Sequence, residues 1–410
     1  MNDYAYIYDT ARSAFGTLGG GLSSVRPDDL LAYVIRELVG RNDFDLTEYE
    51  DVIAGNTNQA GEDSRNVARF AGLLAGLPIS TGGITVNRLC GSSMAAALDA
   101  ARAVRCKEGE LFIACGVESM SRAPLVLSKA TSAFDRGQQL SDTTMGARFT
   151  NPNIADAFGV HTMPQTADNI ASDLGITRSQ CDIFSASSQT RYQKAKIDGL
   201  IAAQIVPIAV SQGRKKTTII ISEDEHPREG STLEVLADLR TLANNGVVTA
   251  GNASGLNDGA AAMIIGSQAV GEKYGVASKG RILAGAVAGV EPRTMGLGPV
   301  PASQKALSRA GLSLDEMDVI EINEAFAVQV LGCLQLLGID FNDSRVNASG
   351  GAIAVGHPLG ASGARIIQNA LTQLEVNQGR YALVTMCIGI GQGIAVVIER
   401  VKSDTMITGH

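Results

Sequence analysis

Three loops carry the residue types that covalent chemistry needs. The first is Ile84-Thr-Val-Asn-Arg-Leu-Cys90-Gly-Ser-Ser-Met-Ala-Ala-Ala97. A β-branched run ends at the thiol and an alanine-rich helix starts at the serines. Cys90 is therefore expected at a helix N-terminus, where unpaired amides and the helix dipole favour thiolate. The competing reading is a small buried cysteine at a strand end, the commoner fate of that residue. The second loop, Asn347-Ala-Ser-Gly-Gly-Ala-Ile-Ala-Val-Gly-His357-Pro-Leu-Gly-Ala-Ser-Gly363, sets a histidine among glycines just before another helix. A lone loop histidine is more often merely solvated. Beside an activated cysteine it becomes a general base. The third, Met386-Cys387-Ile-Gly-Ile-Gly-Gln-Gly393, follows an apolar run. Its glycines free backbone N–H groups to point at a ligand oxygen. The glycine spacing does not match the G-x-G-x-x-G of a dinucleotide site.

Something must hold these loops together. Short apolar runs alternate with alanine-rich helical stretches, the pattern of a buried sheet covered by helices, an α/β chain. Segments of the first third recur in the last. Asp51-Val-Ile-Ala-Gly-Asn56 matches Asp318-Val-Ile-Glu-Ile-Asn323, and Val86-Asn87 matches Val346-Asn347. Leu111-Phe-Ile-Ala-Cys115-Gly matches Leu383-Val-Thr-Met-Cys387-Ile-Gly. The order is kept, with offsets of 267, 260 and 272 residues (318 − 51, 346 − 86, 383 − 111). That argues for an internal duplication; the alternative is the general likeness of α/β strands. Between the halves, roughly residues 120–250, the texture changes. Ser121 to Pro152 reads as polar loop, Ile183 to Gln204 as helix, and Thr217 to Asp224 as strand, with a charged run Glu223–Glu229. Long inserts in compact folds are usually functional.

Composition narrows the function classes. A chain of 410 residues is long enough for two or three domains. Its 46 glycines against 11 prolines indicate tight loops rather than a proline-rich disordered chain. With 34 basic and 42 acidic residues, a net charge of -8 and no long basic run, nucleic acid and anionic membrane are poor partners. An anionic ligand would have to be held by a few placed groups. The six cysteines, Cys90, Cys106, Cys115, Cys181, Cys333 and Cys387, form no C-x-x-C pair, and there are only four histidines. That argues against a metal site and for reduced thiols. Tyr4-Ala-Tyr-Ile-Tyr8 reads as a strand, and no apolar run approaches the ~20 residues of a spanning helix. Thr408-Gly409-His410 matches no familiar sorting signal. The expected location is the cytoplasm.

Five motifs together resemble the thiolase family, in the family's order and over essentially the whole chain. They are Val86-Asn-Arg-Leu-Cys90-Gly-Ser-Ser93, Gly251-Asn-Ala-Ser-Gly255, Asn323-Glu-Ala-Phe326, Gly356-His-Pro-Leu-Gly-Ala-Ser-Gly363 and Cys387-Ile-Gly-Ile-Gly-Gln-Gly393. The resemblance implies two βαβαβαββ halves with five-stranded mixed sheets, layered α-β-α-β-α, plus a loop domain. The first half would span 1–120, completed by about 247–275. The loop domain would span 121–246 and help bind coenzyme A, and the second half would span 276–410. It implies a homo-oligomer, a dimer or tetramer, and coenzyme A as a substrate with no tightly bound cofactor or metal. By matched position, Cys90 is the expected nucleophile toward a 3-oxoacyl-CoA, His357 its base, and Cys387 the acid or base at the α-carbon. Backbone N–H groups of Cys90 and Gly389 would form one oxyanion hole; His357 and a water held by Asn323 would form the other. Ser254, Arg228, Met163, Met295 and Phe326 match coenzyme A contacts, although plain core packing is an equal reading of the two methionines.

Within the family, four segments resemble the 3-oxoadipyl-CoA branch: Gly19–Leu30, Gly116–Pro124, Asp142–Phe149 and Met163–Asn169. A dicarboxylate substrate needs a cation for its distal carboxylate. Arg122, Lys129, Arg136 and Arg148 are the insert's candidates, although charged loop residues are usually just solvated. The chain departs from the branch at Ser93, where glycine is frequent, and Ser349, where asparagine is common. Acetoacetyl-CoA or a fatty 3-oxoacyl-CoA is the alternative substrate. A one-cysteine condensing enzyme, a non-catalytic acyl-CoA or lipid carrier and a nucleotide-dependent oxidoreductase are the rival classes. The first two conflict with the joint presence of Cys90, His357 and Cys387, the third with the missing fingerprint.

Overall fold

The computed structural model describes residues 4–212 and 217–401, so the terminal tripeptide lies outside the described residues. The first half runs β1 (Ala5–Ser13), α1 (Pro27–Gly40), β2 (Tyr49–Gly55), α2 (Val67–Ala75), β3 (Gly82–Val86), α3 (Ser92–Cys106) and β4 (Leu111–Ser119). The insert contributes α4 (Met163–Leu174) and α5 (Arg178–Ile197). After it come β5 (Asn257–Gly266), β6 (Gly280–Gly289), α6 (Pro299–Ala310), β7 (Val319–Ile322), α7 (Ala327–Leu337), α8 (Leu359–Val376), β8 (Tyr381–Ile388) and β9 (Gln392–Arg400). The three repeated sequence pairs fall on corresponding elements: β2 with β7, the end of β3 with the Val346 position, and β4 with β8.

The strands form one path, β7-β8-β9-β6-β1-β5-β4-β2-β3. Pairing is mixed: β2 runs parallel to β3 and β4, and β7 to β8, while the pairings of β5 and β9 are antiparallel. The α/β class and duplicated layout agree with expectation, and two details differ. The halves are not separate sheets, because Ala5–Ile7 of β1 pair antiparallel with Gly280–Ile282 of β6. That contact covers backbone groups that two free sheet edges would leave unpaired. The first half supplies five strands and the second four; the fifth position is reduced to a single bridge between Ile320 and Val346.

Helices α3 and α8 lie between the two halves and share one apolar cluster with both. Their facing surfaces are small: Ala96, Ala97 and Ala100 on α3, and Ala361, Ala364 and Ala370 on α8, are all buried. Close approach is obligatory. A Cβ at Gly363 would sit 2.5 Å from the Met94 nitrogen, and one at Gly116 on β4 would sit 2.0 Å from the Gly360 oxygen. The start of α8, and with it His357, is thereby seated against β4. Helices α1 and α2 cover the outer face of the first half, α6 and α7 that of the second.

The insert departs from its sequence reading at the boundaries. α5 begins at Arg178 rather than near 183, because Thr177 and Gln180 form a capping box. It ends at Ile197, with Gly199 in the left-handed region at φ 79. The strand after it closes at Ile221, and the stretch read as loop holds a small hairpin, Leu125–Leu127 with Leu140–Asp142. A buried ion pair anchors the insert: Asp224 takes two hydrogen bonds from Arg12 on β1, at 2.7 and 2.8 Å, and another from the Tyr192 hydroxyl at 2.9 Å.

Candidate active site

Cys90 sits where β3 turns into α3. Leu89 is held at φ 46, a left-handed conformation uncommon for a residue with a branched side chain. Neighbouring side chains enforce it. Asn87 Oδ1 accepts the Leu89 N–H at 2.9 Å. Ser92 Oγ accepts the Arg88 N–H at 2.9 Å and donates to the Leu89 carbonyl at 2.6 Å. The sharp turn presents the thiol beside the Gly389 N–H, which favours its ionised form.

The expected thiolate does not follow. Burial pushes the Cys90 thiol up to about 11, and Glu118 pushes it further in that direction; the Gly389 and Cys90 N–H groups offset only part. Desolvation of an anion outweighs partial charges at a helix end. The resting residue is a thiol, and its proton must be taken. Cys90 is itself half-buried, whereas Cys387, at the end of β8, is fully buried; its thiol is raised well above its ordinary value, first by burial and then by Cys90 nearby.

His357 lies in the turn before α8 and is 4% exposed. Its backbone N–H donates to Asn257 Oδ1 at 2.9 Å. Burial, and then the Arg365 guanidinium, hold its pKa down to about 3, so the imidazole is neutral at any working pH. Its tautomer follows from its neighbours. Ser362 Oγ donates to the Pro358 carbonyl at 2.9 Å, so it accepts from His357 Nδ1–H at 2.6 Å. Nε2 is then the unprotonated nitrogen, 3.4 Å from Asn323 Nδ2. Asn323 is tied to β8 by its N–H on the Thr385 carbonyl at 3.0 Å, and its buried Oδ1 has no protein donor among the described residues. That atom is an acceptor available to a water or a substrate.

Glu118, at the end of β4, holds the loops in register. Its carboxylate accepts N–H groups of Thr57 and Asn58 at 3.1 Å each and of Gly360 at 2.9 Å. Two chain segments, 57–58 and the start of α8, converge on one buried group, raised to about 7 by burial. Both departures from the branch pattern have partners: Ser93 Oγ accepts the Ala364 N–H at 2.9 Å, joining α3 to α8, and Ser349 Oγ accepts from Gln373.

The structure brings Met163, Met295, Phe326 and Ser254 close to one another. Met163, Met295 and Phe326 share one apolar cluster with Ala253. Ala253 bridges Phe326, and the Ser254 N–H donates to the Ala325 carbonyl at 2.9 Å, so the Gly251–Gly255 and Asn323–Phe326 motifs meet. Met295 and Phe326 are buried, at 3% and 8% exposure, so core packing is part of their role. Arg228 is exposed, and its backbone N–H donates to Gln189 Oε1 at 3.1 Å. Sequence reasoning gave no role to Glu118, Ser362, Asn257, Arg365, Asn87 or Ser92. Several of these stand inside quoted motifs; nothing in their spacing says where they point.

Comparison with known proteins concerns the chain as a whole. The family model for the thiolase N-terminal domain matches residues 5–269 and that for the thiolase C-terminal domain residues 276–400. The beta-ketoadipyl-CoA thiolase of Acinetobacter baylyi is 53% identical over 97% of this chain and 100% of its own. The 3-oxoadipyl-CoA/3-oxo-5,6-dehydrosuberyl-CoA thiolase of Escherichia coli K12 is 55% identical over 97% of this chain and 99% of its own. Among solved structures, human mitochondrial 3-ketoacyl-CoA thiolase superposes with a TM-score of 0.91 at 36% identity, over 97% of this chain and 99% of that one. A structure of the same human enzyme in complex with CoA gives 0.89. Its two matched domains, its end-to-end relatives and its site geometry place this chain in the thiolase family of acyltransferases.

Proposed function

We propose that the protein cleaves 3-oxoadipyl-CoA with coenzyme A, or runs the reverse condensation, through an acyl-Cys90 intermediate. The observation that carries the chemistry is a half-buried Cys90 close to a buried Cys387, together with a neutral, buried histidine whose Nδ1–H is committed to Ser362, which leaves Nε2 as its basic nitrogen. His357 Nε2 takes the Cys90 proton as the sulfur attacks the C3 carbonyl, because burial holds the thiol protonated and the imidazole neutral at rest, so transfer has to accompany attack. The N–H groups of Cys90 and Gly389 receive the developing oxyanion. The C2–C3 bond breaks, and its electron pair goes to the acetyl-CoA enolate. His357, with a water held by Asn323, stabilises that oxygen, while the Cys387 thiol protonates C2. Coenzyme A then gives its thiol proton to the Cys387 thiolate and attacks the acyl-Cys90 thioester, and the Cys90 sulfur leaves as His357 returns its proton, which restores all three groups.

Coenzyme A is assigned Ser254, Arg228, Met163, Met295 and Phe326. Residues 121–246 act as the loop domain that carries part of this site, between halves at 1–120 (completed by about 247–275) and 276–410. The assembly is a homo-oligomer, dimer or tetramer, in the cytoplasm; among the described residues no helix is long and apolar enough to cross a membrane. Identity of 53–55% to relatives named for 3-oxoadipyl-CoA, across nearly whole chains, supports the substrate. The test compares kcat/KM for coenzyme A-dependent cleavage of 3-oxoadipyl-CoA, acetoacetyl-CoA and a medium-chain 3-oxoacyl-CoA. A preference of about a hundredfold for the first, worth ~3 kcal/mol, is expected. Comparable rates would discard this substrate and leave the chemistry standing.

A further inference from the structure

Four insert cations compete, by sequence, to read a distal carboxylate, and the structure separates them. Arg122 is already engaged: its guanidinium takes both oxygens of Glu62, which also receives Arg26 at 3.3 Å. Lys129 and Arg136 are exposed on the hairpin between Leu125 and Asp142. Arg148 is different. It is half-buried in the wall of a cavity of about 610 Å³, with Arg65 on the same lining. No carboxylate lines that cavity, and neither guanidinium forms an ion pair among the described residues.

The same cavity is lined by Thr57 and Asn87. Asn87 donates to the Thr57 carbonyl at 3.1 Å while its Oδ1 holds the turn that presents Cys90. The segment leading to Arg148 is pinned to this wall, because Thr143 Oγ1 accepts from Asn58 Nδ2 at 2.8 Å and Asn58 is itself held by Glu118. Chain geometry sets the reach. In the acyl group left on Cys90, three carbon–carbon bonds of about 1.5 Å separate the thioester carbonyl from the distal carboxyl carbon. A cation that reads that carboxylate must therefore stand beside the Cys90 loop.

We infer that Arg148 is the specificity-determining residue for a dicarboxyl 3-oxoacyl chain, with Arg65 adding charge from the same wall. The inference rests on the 3-oxoadipyl-CoA reading above. A guanidinium meets a carboxylate with two parallel N–H donors, a geometry that lysine cannot reproduce.

The test measures the ratio of kcat/KM for 3-oxoadipyl-CoA to that for acetoacetyl-CoA in wild type, Arg148→Gln and Arg148→Lys. A high ratio in wild type that falls tenfold or more in Arg148→Gln, with a smaller fall in Arg148→Lys, supports the inference. A high wild-type ratio that falls less than tenfold in Arg148→Gln overturns it and leaves the substrate reading intact. A wild-type ratio near one overturns the substrate reading, and this inference with it. If Arg148→Gln does not fold, Arg148→Lys decides: a fall of threefold or more supports the role, and an undiminished ratio refutes it.

Discussion

Ser362→Ala removes the atom that fixes the tautomer of His357 and leaves everything else in the site in place. The wild-type hydroxyl accepts from Nδ1–H at 2.6 Å and is itself spent on the Pro358 carbonyl. Both groups are buried, so no water replaces the lost acceptor. An unsatisfied buried donor costs about 1–3 kcal/mol, and the cost is larger when the donor carries charge. His357 becomes charged only as it accepts the Cys90 proton, so the penalty falls mainly on the transition state. At 1.4 kcal/mol per tenfold, the expected loss in kcat/KM is about 10- to 100-fold, read most directly in the rate of Cys90 acylation. A purely structural role would not move the second readout, the nitrogen NMR shifts of His357. These should report a protonated Nδ1 in wild type and a mixture, or the other tautomer, in the variant. Acylation within twofold of wild type together with unchanged shifts would refute the argument.

Other outcomes follow from the same geometry. Gly363→Ala forces a Cβ to 2.5 Å from the Met94 nitrogen where α8 crosses α3, and backbone cannot yield there as a flexible side chain would. It should destabilise the fold by about 3 kcal/mol or more, seen as a lower urea midpoint, and an unchanged midpoint would contradict the packing account. Asp224→Asn should cost about 3–5 kcal/mol in the same assay, because it strands the fully buried Arg12 guanidinium. Two groups give opposite pH signatures. The folded pKa of His357 is depressed from its ordinary 6.5 to about 3, so its contribution is present above pH 6.5 and lost as pH falls toward 3. That of Glu118 is raised from 4.5 to about 7, so its contribution is full below pH 4.5 and lost as pH rises through 7. The stability gap between wild type and Glu118→Gln should narrow between pH 5 and 8; a gap that stays constant would remove Glu118 as the titrating group.

Cys90, His357 and Cys387 were legible because each stands in a glycine-bearing loop where regular structure begins or ends, and few other residues in the chain combine reactivity with such punctuation. The duplication was legible for a related reason: both halves must build the same strand ends to carry those loops. What sequence periodicity could not supply is direction. Whether Ser362 turns toward His357 or away depends on the Pro358 carbonyl competing for its hydroxyl, a contact within one turn of helix that leaves no pattern. Glu118 reads as one more polar residue at a strand end until the 57–58 loop and the start of α8 are folded over it. The thiolate expectation failed because helix position is visible in sequence and burial is not. The second half's missing strand left no sign in the sequence either: Val346 keeps the sequence of a strand end, yet among the described residues only one bridge forms there. Of four loop cations, only the fold shows which is already paired and which lines an unpaired wall.

The central claim is that carbon–carbon cleavage proceeds through a thioester on Cys90. Quenching the protein with 3-oxoadipyl-CoA in the absence of coenzyme A, then locating the added mass in the digested chain, tests it most directly. The account predicts the acyl group on the peptide carrying Cys90 in wild type, its loss in Cys90→Ala, and its persistence in Cys387→Ala treated with an acyl-CoA donor. An acyl group found on Cys387 or elsewhere, or undiminished turnover by Cys90→Ala, would contradict it.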